Sequence, residues 1–153
     1  MYTCGPTVYR YAHLGNLRTF LLADILRRTL SFAGYDVAQV MNITDVGHMT
    51  DESSDAAIDK MLLAAEDEGL APLEIAAKYT AAFLEDAAAI GIQPADVLPK
   101  ATEHIPEMLE LAAKLIELGH AYPSGGSVYY DVSSFAGYGK LSGNTLDKLR
   151  TGH

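Results

Sequence analysis

Met1-Tyr-Thr-Cys-Gly-Pro-Thr-Val-Tyr-Arg-Tyr-Ala-His-Leu-Gly-Asn-Leu-Arg-Thr-Phe20 is the stretch whose reading decides the fold. A short start carries Cys4, Gly5-Pro6 breaks it, and His13-Leu14-Gly15-Asn16 opens a long helical pattern. A strand that stops at Gly-Pro and feeds a helix through a small polar turn suits a nucleotide. The free N–H groups and the positive dipole end at a helix start attract anions. Gly15 permits close backbone approach by a ligand, and His13 can donate to phosphate oxygens without a permanent charge. Read singly, the same residues have plainer readings: a histidine before a glycine as a turn residue, and a cysteine near a strand end as a small buried hydrophobe.

Outward from that stretch, Gly15 to Ala33 reads as helix. Asp24, Arg27, Arg28 and Ser31 recur at i, i+3, i+4, i+7 and predict one narrow solvated stripe. Leu17, Leu21, Leu22, Ile25, Leu26 and Leu30 make the rest apolar, so the helix should be covered on most sides. Gly34 is placed to stop it, and Tyr35 to Met41 reads as a buried strand. Strand, helix, strand at this spacing predicts an α/β fold with a right-handed βαβ crossover and a ligand beyond the carboxyl ends of the strands. Asn42-Ile43-Thr44-Asp45 leaves the second strand at that end, which puts Thr44 near Cys4 and His13. Thr44 and Asp45 also fit a helix cap or an Asx turn.

Two helices should follow, Ala56 to Glu68 closed by Gly69, and one opened by Pro72 and stopped at Gly91. Ile75, Tyr79, Phe83 and Ile90 form the second one's core stripe. Ile92 to Lys100, with Pro94 and Pro99, reads as a loop and domain boundary, dividing the chain into 1–98 and 99–153. Thr102 can cap a third helix with Ile105, Met108, Leu109, Ala112, Leu115 and Ile116 on one face and Gly119 after it. Val128 to Val132 reads as a strand paired with Ala121-Tyr122 across the turn Pro123–Gly126.

At 49% hydrophobic, 153 residues can bury one respectable core. One cysteine forms no internal disulfide, no start resembles a signal peptide, and no apolar run approaches the roughly 18 residues that span a bilayer. A reducing cytoplasm and no membrane are the expectations. A net charge of −9 with 11 scattered basic residues argues against a nucleic-acid module standing alone.

The full opening string resembles the signature of class I aminoacyl-tRNA synthetases, whose HIGH tetrapeptide appears as His13-Leu14-Gly15-Asn16. Tyr2 to Tyr9 resembles the cysteinyl-tRNA synthetases of that class. Further matches lie at Asn42-Ile-Thr-Asp-Val46, Ala101-Thr-Glu-His-Ile105, Asp131-Val132 and Tyr138-Gly-Lys-Leu-Ser142. The resemblance implies the first half of a Rossmann-like nucleotide fold over 1–98 and the beginning of a connective insertion over 99–153. It implies a cysteine–tRNA ligase, in which ATP with Mg activates L-cysteine to cysteinyl adenylate and the cysteinyl group passes to tRNA(Cys). By the same resemblance His13 and Asn16 are catalytic, Thr7, His13, Gly15 and Asn16 bind ATP, and Cys4, Gly5 and Thr44 bind cysteine. Cys4 matches one ligand of a zinc ion that reads the substrate thiolate; zinc favours sulfur donors in tetrahedral sites.

Asn16 replaces the last histidine of the tetrapeptide, keeping a donor and losing the option of protonation. No match appears to the other zinc ligands or to the KMSKS loop, so an N-terminal piece, not competent alone and weak in tRNA binding, is expected. Gly47 to Ile58 departs from the commonest pattern, in which Thr-Asp-Val runs almost directly into Asp-Asp-Lys. Its His48, Asp51, Glu52 and Asp55 read as a hard-metal cluster or as a solvated acidic loop, the spacing favouring the loop. Two other functions stand beside the ligase. One is a cysteine:amino-sugar ligase of the mycothiol type, against which Pro6-Thr7 and Ala101–Ile105 speak; the other is a non-catalytic nucleotide- or partner-binding module.

Overall fold

β2 (Val40–Met41) runs between two extended segments parallel to it. On one side lies β1 (Tyr2–Thr3), with Tyr2 opposite Val40 and Thr3 opposite Met41. On the other lies the chain around Val97 to Lys100, where the Met41 and Ile43 N–H groups donate to the carbonyls of Val97 (3.0 Å) and Pro99 (2.8 Å). The structure is a computed structural model that describes residues 1–47 and 60–144. It forms two compact units, Met1–Glu103 and His104–His153.

The strand expected over Tyr35–Met41 is thus regular only at its last two residues, and Tyr35 is exposed. The stretch 92–100 is irregular, as a loop should be, but isolated bridges at Val97 and Lys100 lay it parallel beside β2, and the first unit continues to Glu103. Proline lacks the N–H that a central strand needs. Here β2 takes only the carbonyl of Pro99, so the missing donor costs this ladder nothing.

Helix α1 (Leu14–Phe32) links β1 to β2 and ends where Gly34 takes a positive φ. Its inward face is not the one the hydrophobic pattern suggests. Leu17, Phe20 and Asp24 are buried, whereas Leu22, Ile25, Leu26 and Phe32 are exposed. The expected solvated stripe is exposed at Arg28 and Ser31, but Asp24 is buried and Arg27 largely covered, and the stripe makes a polar seam against residues 91–96. Asp24 accepts from Arg28 Nε (2.7 Å) and the Gln93 N–H (3.1 Å), and Arg28 also donates to the Gly91 carbonyl (2.8 Å). Arg27 donates to the Pro94 carbonyl (2.8 Å) and to both oxygens of Asp96. Asp96 in turn accepts from the Gln39 N–H (2.7 Å), which with Arg27 holds its carboxyl below the usual range. A buried carboxylate is tolerable when fully paired, and Asp24 is.

Helices α2 (Lys60–Glu68) and α3 (Pro72–Ala89) close the unit, with Gly69 at positive φ between them. Residues 56–59 of the expected second helix lie outside the described residues. Ile75, Tyr79 and Phe83 are buried as the stripe requires, but Ile90 is exposed and Ala87 takes the inward place. Two clusters make the core: Val8, Ile43, Met61, Ala65, Ile75, Ala76 and Tyr79, then Leu17, Phe20, Met41, Phe83, Ala87 and Ile92.

In the second unit, α4 (Ile105–Glu117) follows a 3-10 turn at Ala101–His104 and is capped at His104 without a side-chain bond. Thr102 is therefore not the cap of that helix; it is bonded to Asp45 in the first unit. A hairpin of β3 (Ala121–Ser124) and β4 (Ser127–Tyr130) pairs Ala121 with Tyr130 and Tyr122 with Tyr129. Gly125 and Gly126 both have positive φ, as a two-residue hairpin turn of the primed kind demands.

The α1 correction has a direct check. Phe20 is buried edge-on to Phe83, ring centroids 4.9 Å apart, so Phe20→Ala should cost about 3–5 kcal/mol in chemical denaturation. Leu22→Ala, on the exposed face, should change stability by less than about 0.5 kcal/mol. Equal losses would mean that the helix is turned the other way.

Candidate functional site

Residues 4 to 13 cross the carboxyl end of β2 on their way to α1, and Asn42 pins them there. Its Oδ1 accepts from the Tyr2 hydroxyl (2.9 Å) and the Gly5 N–H (3.0 Å), while its Nδ2 donates to Thr44 Oγ1 (3.0 Å). These bonds fix which way the amide faces. Gly5 is required by proximity: a Cβ there would lie 1.7 Å from the Asn42 carbonyl oxygen. The Thr44 N–H donates to the Pro6 carbonyl (3.0 Å), and the Val8 N–H to that of Thr44 (3.1 Å), so Thr7 and Thr44 bridge and Val8 is buried.

Asp45, also buried, accepts from the Thr102 N–H (2.9 Å) and hydroxyl (2.5 Å). It thereby ties the 3-10 turn at Ala101–His104 back to the end of the sheet, a long-range bond rather than the local helix cap or Asx turn open to it in the sequence.

His13 caps α1 in a reciprocal box. The Asn16 N–H, already bonded to the His13 carbonyl (2.9 Å), also faces His13 Nδ1 (3.3 Å). The His13 N–H donates to Asn16 Oδ1 (3.2 Å). A Cβ on Gly15 would sit 3.0 Å from both Cε1 and Nδ1 of that imidazole, so the room beside Gly15 is filled by His13.

A cavity of about 250 Å3 opens beside this helix start, lined by Gly5–Ala12, Asn16, Phe20, Tyr79 and Phe83. Its aromatic wall is held from behind. Tyr11 meets Tyr79 edge-on at 5.0 Å between centroids, and the Tyr79 hydroxyl and the Lys78 ammonium both donate to Glu68. Those donors hold the Glu68 carboxyl below its ordinary range, Lys78 first and Tyr79 second, while Glu68 raises both partners' values. Arg10 supplies a cation on the lining, 5.1 Å from the centre of the Tyr9 ring.

Of the residues singled out in the sequence, Gly5, Thr7 and Asn16 line this cavity; Cys4, His13, Gly15 and Thr44 do not. Cys4 is exposed just beyond β1, and Thr44, whose oxygen accepts from Asn42, keeps its hydroxyl proton to give. Among the described residues no group of three or more His, Cys, Asp or Glu could hold a metal; His48, Asp51, Glu52 and Asp55 lie outside them. Sequence reasoning missed Asn42 as the organiser, although an amide directly after a buried strand was the available signal. It also took Tyr79 and Phe83 for core alone, and they are core and cavity wall together.

Over residues 1–153 the chain matches the family described as tRNA synthetases class I (C) catalytic domain. A cysteine–tRNA ligase of Treponema denticola is 52% identical over 152 residues, 99% of this chain and 31% of the relative. One from Chlorobaculum tepidum is 48% identical over 149 residues, 95% and 30%. One from Thermus thermophilus is 48% identical over 152 residues, 99% and 32%. The chain thus spans a little under a third of the length of these relatives.

The Glu68 cluster makes the wall pH-sensitive in one direction. A carboxyl with a depressed folded value stabilises above its unfolded value, about 4.3, and that contribution is lost as pH falls through the folded value. Glu68→Gln should be less stable than wild type near pH 7, and the gap should close on acidification below about pH 4. Denaturation curves across that range are the check; a gap independent of pH would remove the ionic contribution.

Proposed function

We infer that this chain, which belongs to the class I tRNA synthetase (C) catalytic-domain family, carries the ATP-binding part of a cysteine–tRNA ligase. The observation that carries the reading is the capped helix start beside the cavity at the carboxyl end of two parallel strands. Ligands of α/β sheets bind at that end. The β1–α1–β2 order supports the first half of a Rossmann-like fold, and α4 with its hairpin supports the start of a connective insertion, divided between residues 98 and 103.

In the proposed first step the cysteine carboxylate attacks the α-phosphate of ATP. A carboxyl–phosphate bond forms, the bond to the β-phosphate breaks, and pyrophosphate leaves with its electrons. The chain's own part is to hold and neutralise the phosphates. Among the described residues, the Leu14 and Gly15 N–H groups and His13 Nε2 have no recorded partner. Together they form an anion cradle at the positive end of the α1 dipole. Thr7 and Asn16, on the cavity lining, are proposed to meet the rest of the nucleotide, and Gly5, on the same lining, and the Thr44 hydroxyl are proposed to meet the cysteine. Transfer to the 3′ end of tRNA(Cys) is assigned to the whole protein, with weak tRNA binding by this acidic chain. No helix among the described residues is long and apolar enough to cross a membrane, and a cytoplasmic setting is part of the same proposal.

Zinc needs about four N or S donors. Cys4 supplies one exposed sulfur, and the described residues do not complete the set. Cys4 is proposed as one of the ligands in a whole ligase.

ATP titration of the purified chain tests the cradle. His13→Ala should weaken binding about ten- to a hundredfold, the worth of a hydrogen bond to a charged group. Equal affinity of wild type and variant would remove the site from this helix start. Elemental analysis is expected to find little zinc in the dialysed chain; one equivalent, lost in Cys4→Ser, would mean that the metal site is completed locally.

A further inference from the structure

We propose that Gly15 and Asn16 serve this site through His13, as positioning residues that hold its imidazole as the Nε2–H tautomer against the helix start. The proposal rests on the ATP-site reading, but its geometry stands apart from any ligand. The Asn16 N–H points at His13 Nδ1, so a proton on Nδ1 would face the amide proton. A neutral imidazole in this cap therefore carries its proton on Nε2, which has no partner among the described residues and is left to donate. The return bond from the His13 N–H to Asn16 Oδ1 closes the box and fixes the backbone from which the ring extends.

Gly15 completes the device by being small. Its φ lies outside the left-handed region, so no backbone strain calls for glycine there. What calls for it is the ring: a methyl at this position would come within 3.0 Å of the imidazole Cε1 and Nδ1. On the simpler reading, glycine is needed so that the nucleotide can touch the backbone. The structure points to the room beside Gly15 as already taken by His13.

The test separates the two. Long-range proton–nitrogen spectra of the His13 ring, recorded on the free chain where the imidazole is neutral, should show a single Nε2–H tautomer in wild type. Gly15→Ala and Asn16→Ala should each give the mixture typical of a free imidazole, while Asn16→Gln, which keeps the acceptor of a capping box, should restore the single form. A mixture in wild type, or no change in Gly15→Ala, overturns the proposal whether or not ATP binds.

Thermal unfolding gives an independent arm. Alanine is the better helix former, so Gly15→Ala should raise Tm in a His13→Ala background and raise it less, or lower it, when His13 is present. Equal shifts in both backgrounds would also overturn the proposal. Loss of His13→Ala sensitivity in ATP binding, with the ring spectra as expected, would instead defeat the site reading and leave the positioning intact.

Discussion

Everything near the cavity depends on how closely the chain passes Asn42 at Gly5. With a side chain at Gly5, the backbone after β1 could not lie against the carbonyl of Asn42, and the ladder through Pro6, Val8 and Thr44 would not close. That ladder sets where residues 9 to 12 cross, and hence where His13 meets the first turn of α1. Asn42 answers the close approach from the other strand, its single amide tying Tyr2, Gly5 and Thr44. One absent methyl group and one amide thus place the loop that carries Gly5, Thr7 and His13 of the proposed ligand contacts.

The polar seam under α1 sets the helix on the sheet. Asp24 and Arg28 stand at i and i+4, the spacing of an ordinary surface pair, and nothing within the helix marks them as inward. What buries Asp24 and engages Arg28 is the return of residues 91–96, some sixty residues on, whose Gly91 and Pro94 carbonyls and Gln93 N–H need partners. Loop backbone that packs under a helix must have its donors and acceptors met. Two arginines and a carboxylate do this where leucines could not. Much of the apolar side is left outside: Phe32 is 96% exposed and Leu22 66%.

The sequence was legible where a local signal sufficed. Helix ends at Gly34, Gly69, Gly91 and Gly119 coincide with positive φ, and the Gly125-Gly126 turn sets the hairpin. The family was legible too, because His13 to Asn16 and Asn42 to Val46 are dense motifs. What stayed hidden depends on distant partners: the inward face of α1, the third parallel segment around two prolines, and Thr102 bonding to Asp45 and leaving α4 without its cap. In each case hydrophobic period or propensity gave a fair account of the segment alone, and hydrogen bonds to partners distant in the sequence overrode it.

The helix start shows how such coupling bears on function. A helix leaves about four N–H groups without partners at its beginning, and a protein can cap them or offer them to a ligand. Here His13 and Asn16 satisfy two, their own, by the reciprocal box. Those of Leu14 and Gly15 remain, together with the imidazole Nε2. A fully capped start would be a more stable helix and a poorer anion site; an uncapped one would fray. Capping by a histidine resolves the conflict, since the ring uses one nitrogen to secure the helix and keeps the other as a donor. Serine or aspartate at position 13 would cap at least as well. Aspartate would bring a negative charge and no donor, and serine would keep one hydroxyl proton on the capping atom itself, where the imidazole carries its donor on a second nitrogen across the ring. On the proposed reading, histidine at this cap serves both the helix, through one nitrogen, and the anion site, through the other.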